Sequence, residues 1–127
     1  MFIIDTYAWI EYFDGSRKGE KLQKLLQDEK NIFFTVECCL AEMKGWSLKK
    51  NKNFNDMFKI VRANSRIISI AEYDWIHAAE IRFEQRKLQE NFGLIDAMLI
   101  VKQKELNCKI ISGDYHFKHI KDVMFIG

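Results

Sequence analysis

A chain of 127 residues, 48% of them apolar and 30% charged, has the size and composition of one packed domain. No run of eighteen apolar residues is present, which excludes a helical membrane span. A formal net charge of +2 is too small to mark a nucleic-acid binder and does not exclude one, because a local basic rim can suffice.

The chain goes directly into Met1-Phe2-Ile3-Ile4-Asp5, with no basic segment, long apolar core or small-residue cleavage site. No secretory signal is visible, and a cytoplasmic location is expected. Cys38, Cys39 and Cys108 are odd in number and two are adjacent, a poor disulfide framework. With no proline, Gly/Ser-rich linker or internal repeat, a single domain over residues 1–127 is expected.

Phe2 to Ile4 is a short apolar β-type run, followed by Thr6 to Phe13, in which Trp9, Ile10 and Phe13 suit one helical face. Asp14-Gly15-Ser16 breaks that helix. Lys18 to Glu29 repeats Leu22, Leu25 and Leu26 at helical spacing, and Ile32 to Thr35 reads as a second strand. A third helix runs from Cys38 to Leu48. The polar break from Lys49 to Asn53 precedes a helix carrying Phe54, Phe58 and Val61. With Trp46, that stripe suits core or a dimer interface. Ile67 to Ile70 is a third strand, and Tyr73 to Leu88 a long helix with Trp75, Ile76, Ala79 and Phe83 as its apolar face. A further helix begins at Gly93, Lys109 to Ser112 is the fourth strand and Val123 to Ile126 the fifth. Apolar runs separated by helices indicate a mainly parallel sheet of about five short strands covered on both faces, a three-layer α/β/α fold.

Four acids stand out against this background. Asp96 lies in Gly93-Leu94-Ile95-Asp96-Ala97-Met98-Leu99-Ile100-Val101, with no Lys or Arg within five residues of it. An ionised carboxylate in a packed interior requires hydrogen bonds, a counter-charge or a metal. The simpler reading is an Asp in the first turn of a helix, favoured by the dipole. Right-handed crossovers, however, place ligand-binding residues past the carboxyl ends of parallel strands. Asp5 follows the first strand, and Asp114 follows the fourth through Ser112-Gly113, whose glycine permits a sharp turn. Glu42 sits in the helix after the second strand. Four carboxylates near one edge repel unless a cation intervenes. A hard divalent ion is the natural remedy, and such a site acts on phosphates by stabilising phosphoryl charge and activating water. Phosphodiester hydrolysis is the reaction class expected.

These residues also resemble a family. Phe2-Ile3-Ile4-Asp5-Thr6 with Trp9-Ile10, Leu40-Ala41-Glu42, Gly93-Leu94-Ile95-Asp96-Ala97, and Ser112-Gly113-Asp114 with Phe117 are similar, in order and spacing, to the PIN domain. Within it they most resemble the single-domain VapC-type toxins of toxin-antitoxin systems. The resemblance implies a Mg²⁺- or Mn²⁺-dependent endoribonuclease acting on single-stranded or loop RNA, with Asp5, Glu42, Asp96 and Asp114 as its acidic quartet. Asp5, Asp96 and Asp114 are expected to bind metal directly or through water, and Glu42 to join them through water while it orients or deprotonates the attacking water. Thr6 and Ser112 match polar positions beside the quartet. A homodimer and an antitoxin whose C-terminal segment occupies the cleft are also implied. Two positions depart from the pattern: Tyr7 replaces a small residue, and His116 replaces a further acid.

Other residues carry weaker chemistry. Cys38 and Cys39 with His116 and His119 do not have paired zinc-ligand spacing, so a polar turn and two small apolar residues are expected instead. His77 reads as a surface or core-edge histidine and Cys108 as a buried thiol. Glu11, Asp14, Glu37 and Asp122 read as solvated or capping acids, with Glu37 a reserve for the site. Lys44 and Lys118 could reach RNA phosphates over the rim, and Tyr7 could stack on a base. The main rival is a non-catalytic RNA- or protein-binding module on the same fold. A receiver-like switch lacks its acid pair and terminal Lys, and no phosphate-binding glycine motif supports a nucleotide enzyme.

Overall fold

A computed structural model describes residues 1–127. Five strands, β1 (Phe2–Ile4), β2 (Phe33–Val36), β3 (Arg66–Ile68), β4 (Lys109–Ser112) and β5 (Val123–Phe125), form one sheet in the order β3-β2-β1-β4-β5. Every pairing is parallel, with Ile3 beside Phe34 on one side and Ile110 on the other. Six helices connect them: α1 (Thr6–Asp14), α2 (Arg17–Gln27), α3 (Cys38–Lys49), α4 (Phe54–Asn64), α5 (Glu72–Gln85) and α6 (Leu94–Leu106). The expected α/β architecture is therefore observed.

Ile3 and Ile4 of β1 and Ile110 and Ile111 of β4 are completely buried. Unbroken apolar strands of this kind need cover on both faces. From β1 the chain steps to β2 and β3 in one direction, then returns to β4 on the other side of β1. Right-handed crossovers place α1 to α4 over one face and α5 and α6 over the other. The helix contacts follow: α1 packs on α2 and α3, α4 on α3, and α5 on α6. No helix is long and apolar enough to cross a membrane.

Local chemistry sets the helix ends nearest β1. Gly15 closes α1 at φ 72°, a left-handed conformation that glycine adopts without a Cβ penalty. The Ser16 hydroxyl then accepts from the Gly19 N–H and starts α2. Trp9 of α1 is fully buried, and its indole Nε1 donates to Thr35 Oγ1 at 3.1 Å. Thr35 is in turn 2.7 Å from Ser65 Oγ, so α1 is fastened to β2 and to the end of α4 beneath the sheet edge.

One expectation changes. The apolar face assigned to α5 points outward: Trp75 is 39%, Ile76 54% and Phe83 68% exposed, whereas Ala78 is buried. Asp74, Ala78 and Ile81 also fall at helical spacing, and the small Ala78 lets α5 approach α6 closely. Periodicity alone cannot choose between two such faces. In α4 the core positions are Met57 and Val61, with Phe54 and Phe58 half-buried, so this helix contributes to the intramolecular core as the default reading of its stripe expects.

Candidate functional site

Asp5 is the first residue past β1 and caps α1, its carboxylate accepting from the Ala8 N–H at 2.7 Å. The cap explains its position, yet it is only 3% exposed. On the adjacent strand end, the buried Ser112 hydroxyl donates to Asp5 and accepts from the Asp114 N–H at 3.0 Å. Asp114 in turn accepts from the His116 N–H at 2.9 Å, opening a short 3₁₀ turn over Tyr115–Phe117. β1 and β4 flank the point where the strand order reverses, which is where open parallel sheets bind ligands.

Asp96 occupies the third position of α6 and accepts from the Gly93 N–H at 3.2 Å. Asp96 thus caps this helix and also lines the same cleft as the other acids. From α3, Glu42 accepts from the Thr6 hydroxyl at 2.6 Å. Asp5, Glu42, Asp96 and Asp114 line a cleft of about 200 Å³ whose apolar wall is Ile10, Ile95 and Leu99, and no Lys or Arg lines it. A groove of about 560 Å³ beside α5 and α6 is larger, so convergence of acids and not size distinguishes the site.

Electrostatics record the crowding. Burial raises Asp5 to about 7, and the charges of Asp114 and Asp96 add to it, against hydrogen bonds from Ser112 and Ala8. Burial likewise raises Asp96 to about 6, reinforced by Asp114 and Glu42 and opposed by the Gly93 N–H and His116. Burial and mutual repulsion thus disfavour the charged forms of Asp5 and Asp96, and a cation in the cleft would relieve both.

His116 is part of this arrangement, although the sequence marked it as a departure from the family pattern and as a polar turn residue. Its Nδ1 is 2.9 Å from Asp114 Oδ1 and 3.8 Å from Asp96 Oδ2. The approach to Asp114 falls outside hydrogen-bond geometry, which leaves Nδ1 a buried nitrogen without a partner. One ligand atom from each of Asp96, Asp114 and His116 lies within 4.8 Å of the other two. Two converging carboxylates, together with an orphaned nitrogen, suit a divalent ion.

The remaining predicted residues are distributed as follows. Thr6 and Ser112 contact quartet members. The Tyr7 ring packs over Gly113, and its hydroxyl accepts from Lys18 Nζ at 2.9 Å, a lysine that sequence reasoning did not single out. Gly113 is needed for that close approach and not for a positive φ. Lys44 stands over Phe54 and Lys118 over Tyr115, both outside the cleft lining. Glu37 accepts from the Ile70 N–H two residues past β3, a structural contact that accounts for it away from the cleft. Cys38 and Cys39 join no metal-capable group, His77 and His119 are exposed, and Cys108 is buried.

Fold and site together define an α/β protein that gathers carboxylates above the switch point of a parallel sheet. A family profile for the PIN domain matches residues 2–123, and the chain belongs to that family. Among solved structures, it resembles a toxin-antitoxin complex from Klebsiella pneumoniae (TM-score 0.72, 16% identity, covering 100% of this chain and 98% of that one). It also resembles VapBC2 from Rickettsia felis bound to a promoter DNA fragment (0.70, 16%, covering 98% and 96%). A third is VapC20 from Mycobacterium tuberculosis, a sarcin-ricin loop cleaving toxin (0.69, 14%, covering 84% of each chain). No curated protein matches the sequence significantly.

Proposed function

We propose that this protein is a divalent-metal-dependent endoribonuclease that hydrolyses phosphodiester bonds in single-stranded or loop RNA, as the toxin of a toxin-antitoxin pair. The observation that carries this reading is the convergence of Asp5, Glu42, Asp96 and Asp114 in one cleft with no lysine or arginine to neutralise them. Asp5, Asp96 and Asp114 hold Mg²⁺ or Mn²⁺ directly or through water. When bound, the ion supplies charge stabilisation to the phosphoryl oxygens and a water of lowered pKa.

Glu42, held from α3 by the Thr6 hydroxyl, lines the same cleft, where it orients the attacking water and accepts its proton. Ser112 keeps Asp5 and Asp114 on adjacent strand ends. Beyond the cleft, Lys18 beside Tyr7 and Lys118 beside Tyr115 offer cations and aromatic faces to an RNA strand, and Lys44 a further cation on the α3 side. The exposed Tyr73, Ile76 and Phe83 of α5 support a protein partner, either a second copy or an antitoxin. The toxin-antitoxin complexes among its structural relatives favour an antitoxin partner, and the action proposed is on cytoplasmic RNA.

Purified protein is incubated with a panel of single-stranded and hairpin RNAs in Mg²⁺, Mn²⁺ or EDTA, beside Asp96→Asn. Cleavage that requires the ion and falls by about 10²-fold or more in the variant is expected. Cleavage that survives both EDTA and the substitution overturns the mechanism. RNA affinity with neither cleavage nor metal binding would favour a binding module instead.

A further inference from the structure

We propose that His116, through Nδ1, is a direct ligand of the divalent ion held by Asp96 and Asp114, and that this imidazole biases the site toward Mn²⁺ over Mg²⁺. The inference rests on the metal-dependent reading above and adds to it the ligand type and the ion it selects.

The geometry is specific to this ring. Nδ1 is shut off from solvent and unpartnered, although the side chain as a whole is 33% exposed. It is the ring atom turned toward the acids, 2.9 Å from one carboxylate and 3.8 Å from the other. Ligands on opposite sides of one Mg²⁺ or Mn²⁺ stand about 4 Å apart, close to the spread of the three atoms here. The backbone on either side is pinned as well. The His116 N–H donates to Asp114, and its carbonyl accepts from Gln89 Nε2 at 2.9 Å. The ring meets Phe92 edge-to-face at 6.0 Å, and Phe92 is completely buried. Nδ1 is thus held facing the two carboxylates by the fold before any ion arrives.

Ligand chemistry supplies the selectivity. Mg²⁺ demands oxygen and dehydrates reluctantly, whereas imidazole suits the first-row transition ions. A site with an oxygen ligand in place of His116 lacks that discrimination. His116 is therefore a position that sets metal preference while leaving the four acids untouched.

The test uses full-length protein carrying His77→Gln and His119→Gln, both at exposed positions, labelled with ¹⁵N-histidine so that His116 is the sole labelled ring. Pulsed EPR of bound Mn²⁺ should show coupling to that ¹⁵N. In competition titrations, His116→Asp should lower the Mn²⁺-to-Mg²⁺ affinity ratio by about tenfold or more. Mn²⁺ that binds, is lost in Asp96→Asn and shows no nitrogen coupling overturns the role of His116 while the metal-dependent reading stands. An absence of Mn²⁺ binding, or binding unaffected by Asp96→Asn, overturns both.

Discussion

Gly113 and Tyr7 are in such close contact that a Cβ on Gly113 would come within 2.5 Å of the Tyr7 ring. Gly113 links Ser112 to Asp114, and Tyr7 follows Asp5 and Thr6, so one contact clamps both acid-bearing strand ends. Gly113→Ala is expected to destabilise the protein by about 1–3 kcal/mol through overpacking. Adding Tyr7→Ala should recover much of that loss, measured as a double-mutant cycle in urea. Strict additivity of the two substitutions would show that the contact carries no coupling.

The Thr6 hydroxyl donates to Glu42 at 2.6 Å, its one hydrogen bond to a quartet member. Thr6→Val keeps the shape and removes the donor. Cleavage should fall about tenfold in kcat, with Mn²⁺ affinity changed by less than about twofold, because Thr6 orients Glu42 and holds no ion. An equal loss of metal affinity and kcat would place Thr6 in metal binding instead.

Asp5 is the most sharply perturbed acid of the site, and its sign can be worked out. In the unfolded chain it titrates near 4, and in the folded protein near 7. Between those values the folded state holds a proton that the unfolded state has released. The contribution of Asp5 to apo stability is therefore fully present below pH about 4 and declines as pH rises toward 7, by a few kcal/mol in all. Asp96 adds to the decline up to about pH 6. Melts in EDTA from pH 4 to 8 should show this fall, Asp5→Asn should flatten it, and Mg²⁺ or Mn²⁺ should restore stability chiefly above pH 6. Apo stability that rises across that range contradicts the burial of Asp5.

Away from the site, Lys102 of α6 is only 5% exposed and its Nζ lies 2.8 Å from Asp74 of α5 and 2.9 Å from Glu105. Asp74→Ala leaves a buried cation with one remaining partner and should cost about 2–4 kcal/mol, whereas Lys102→Met should change stability by about 1 kcal/mol or less. The hydrogen bond from Lys102 holds the Asp74 carboxyl below its ordinary range. Its contribution is thus present above pH about 4 and is lost as pH falls through the folded value, the opposite sign to Asp5. Acid titration of Asp74→Asn against the parent separates the two.

Much of this molecule can be read from its order of residues. Apolar runs without alternation require a sheet buried on both faces, and Asp5 and Asp114 follow such runs directly, so their meeting at one sheet edge is implied by connectivity alone. Asp96 was legible because an acid between Ile95 and Ala97 is costly without a reason, and the reason proved double: it caps α6 and faces the cleft. Three matters were settled only in three dimensions. Two faces of α5 share helical spacing, and packing on α6 chose Ala78 over Trp75, Ile76 and Phe83. Glu37 and Glu42 are five residues apart, and only their hydrogen-bond partners separate the contact to β3 from the contact to Thr6. His116 carries no local signature, since the 3₁₀ turn and the packing of Phe92 and Gln89 decide where Nδ1 points. Sequence carries burial and connectivity because both are averaged over many residues. The direction of a single side chain depends on contacts from distant segments, which only the folded chain brings together.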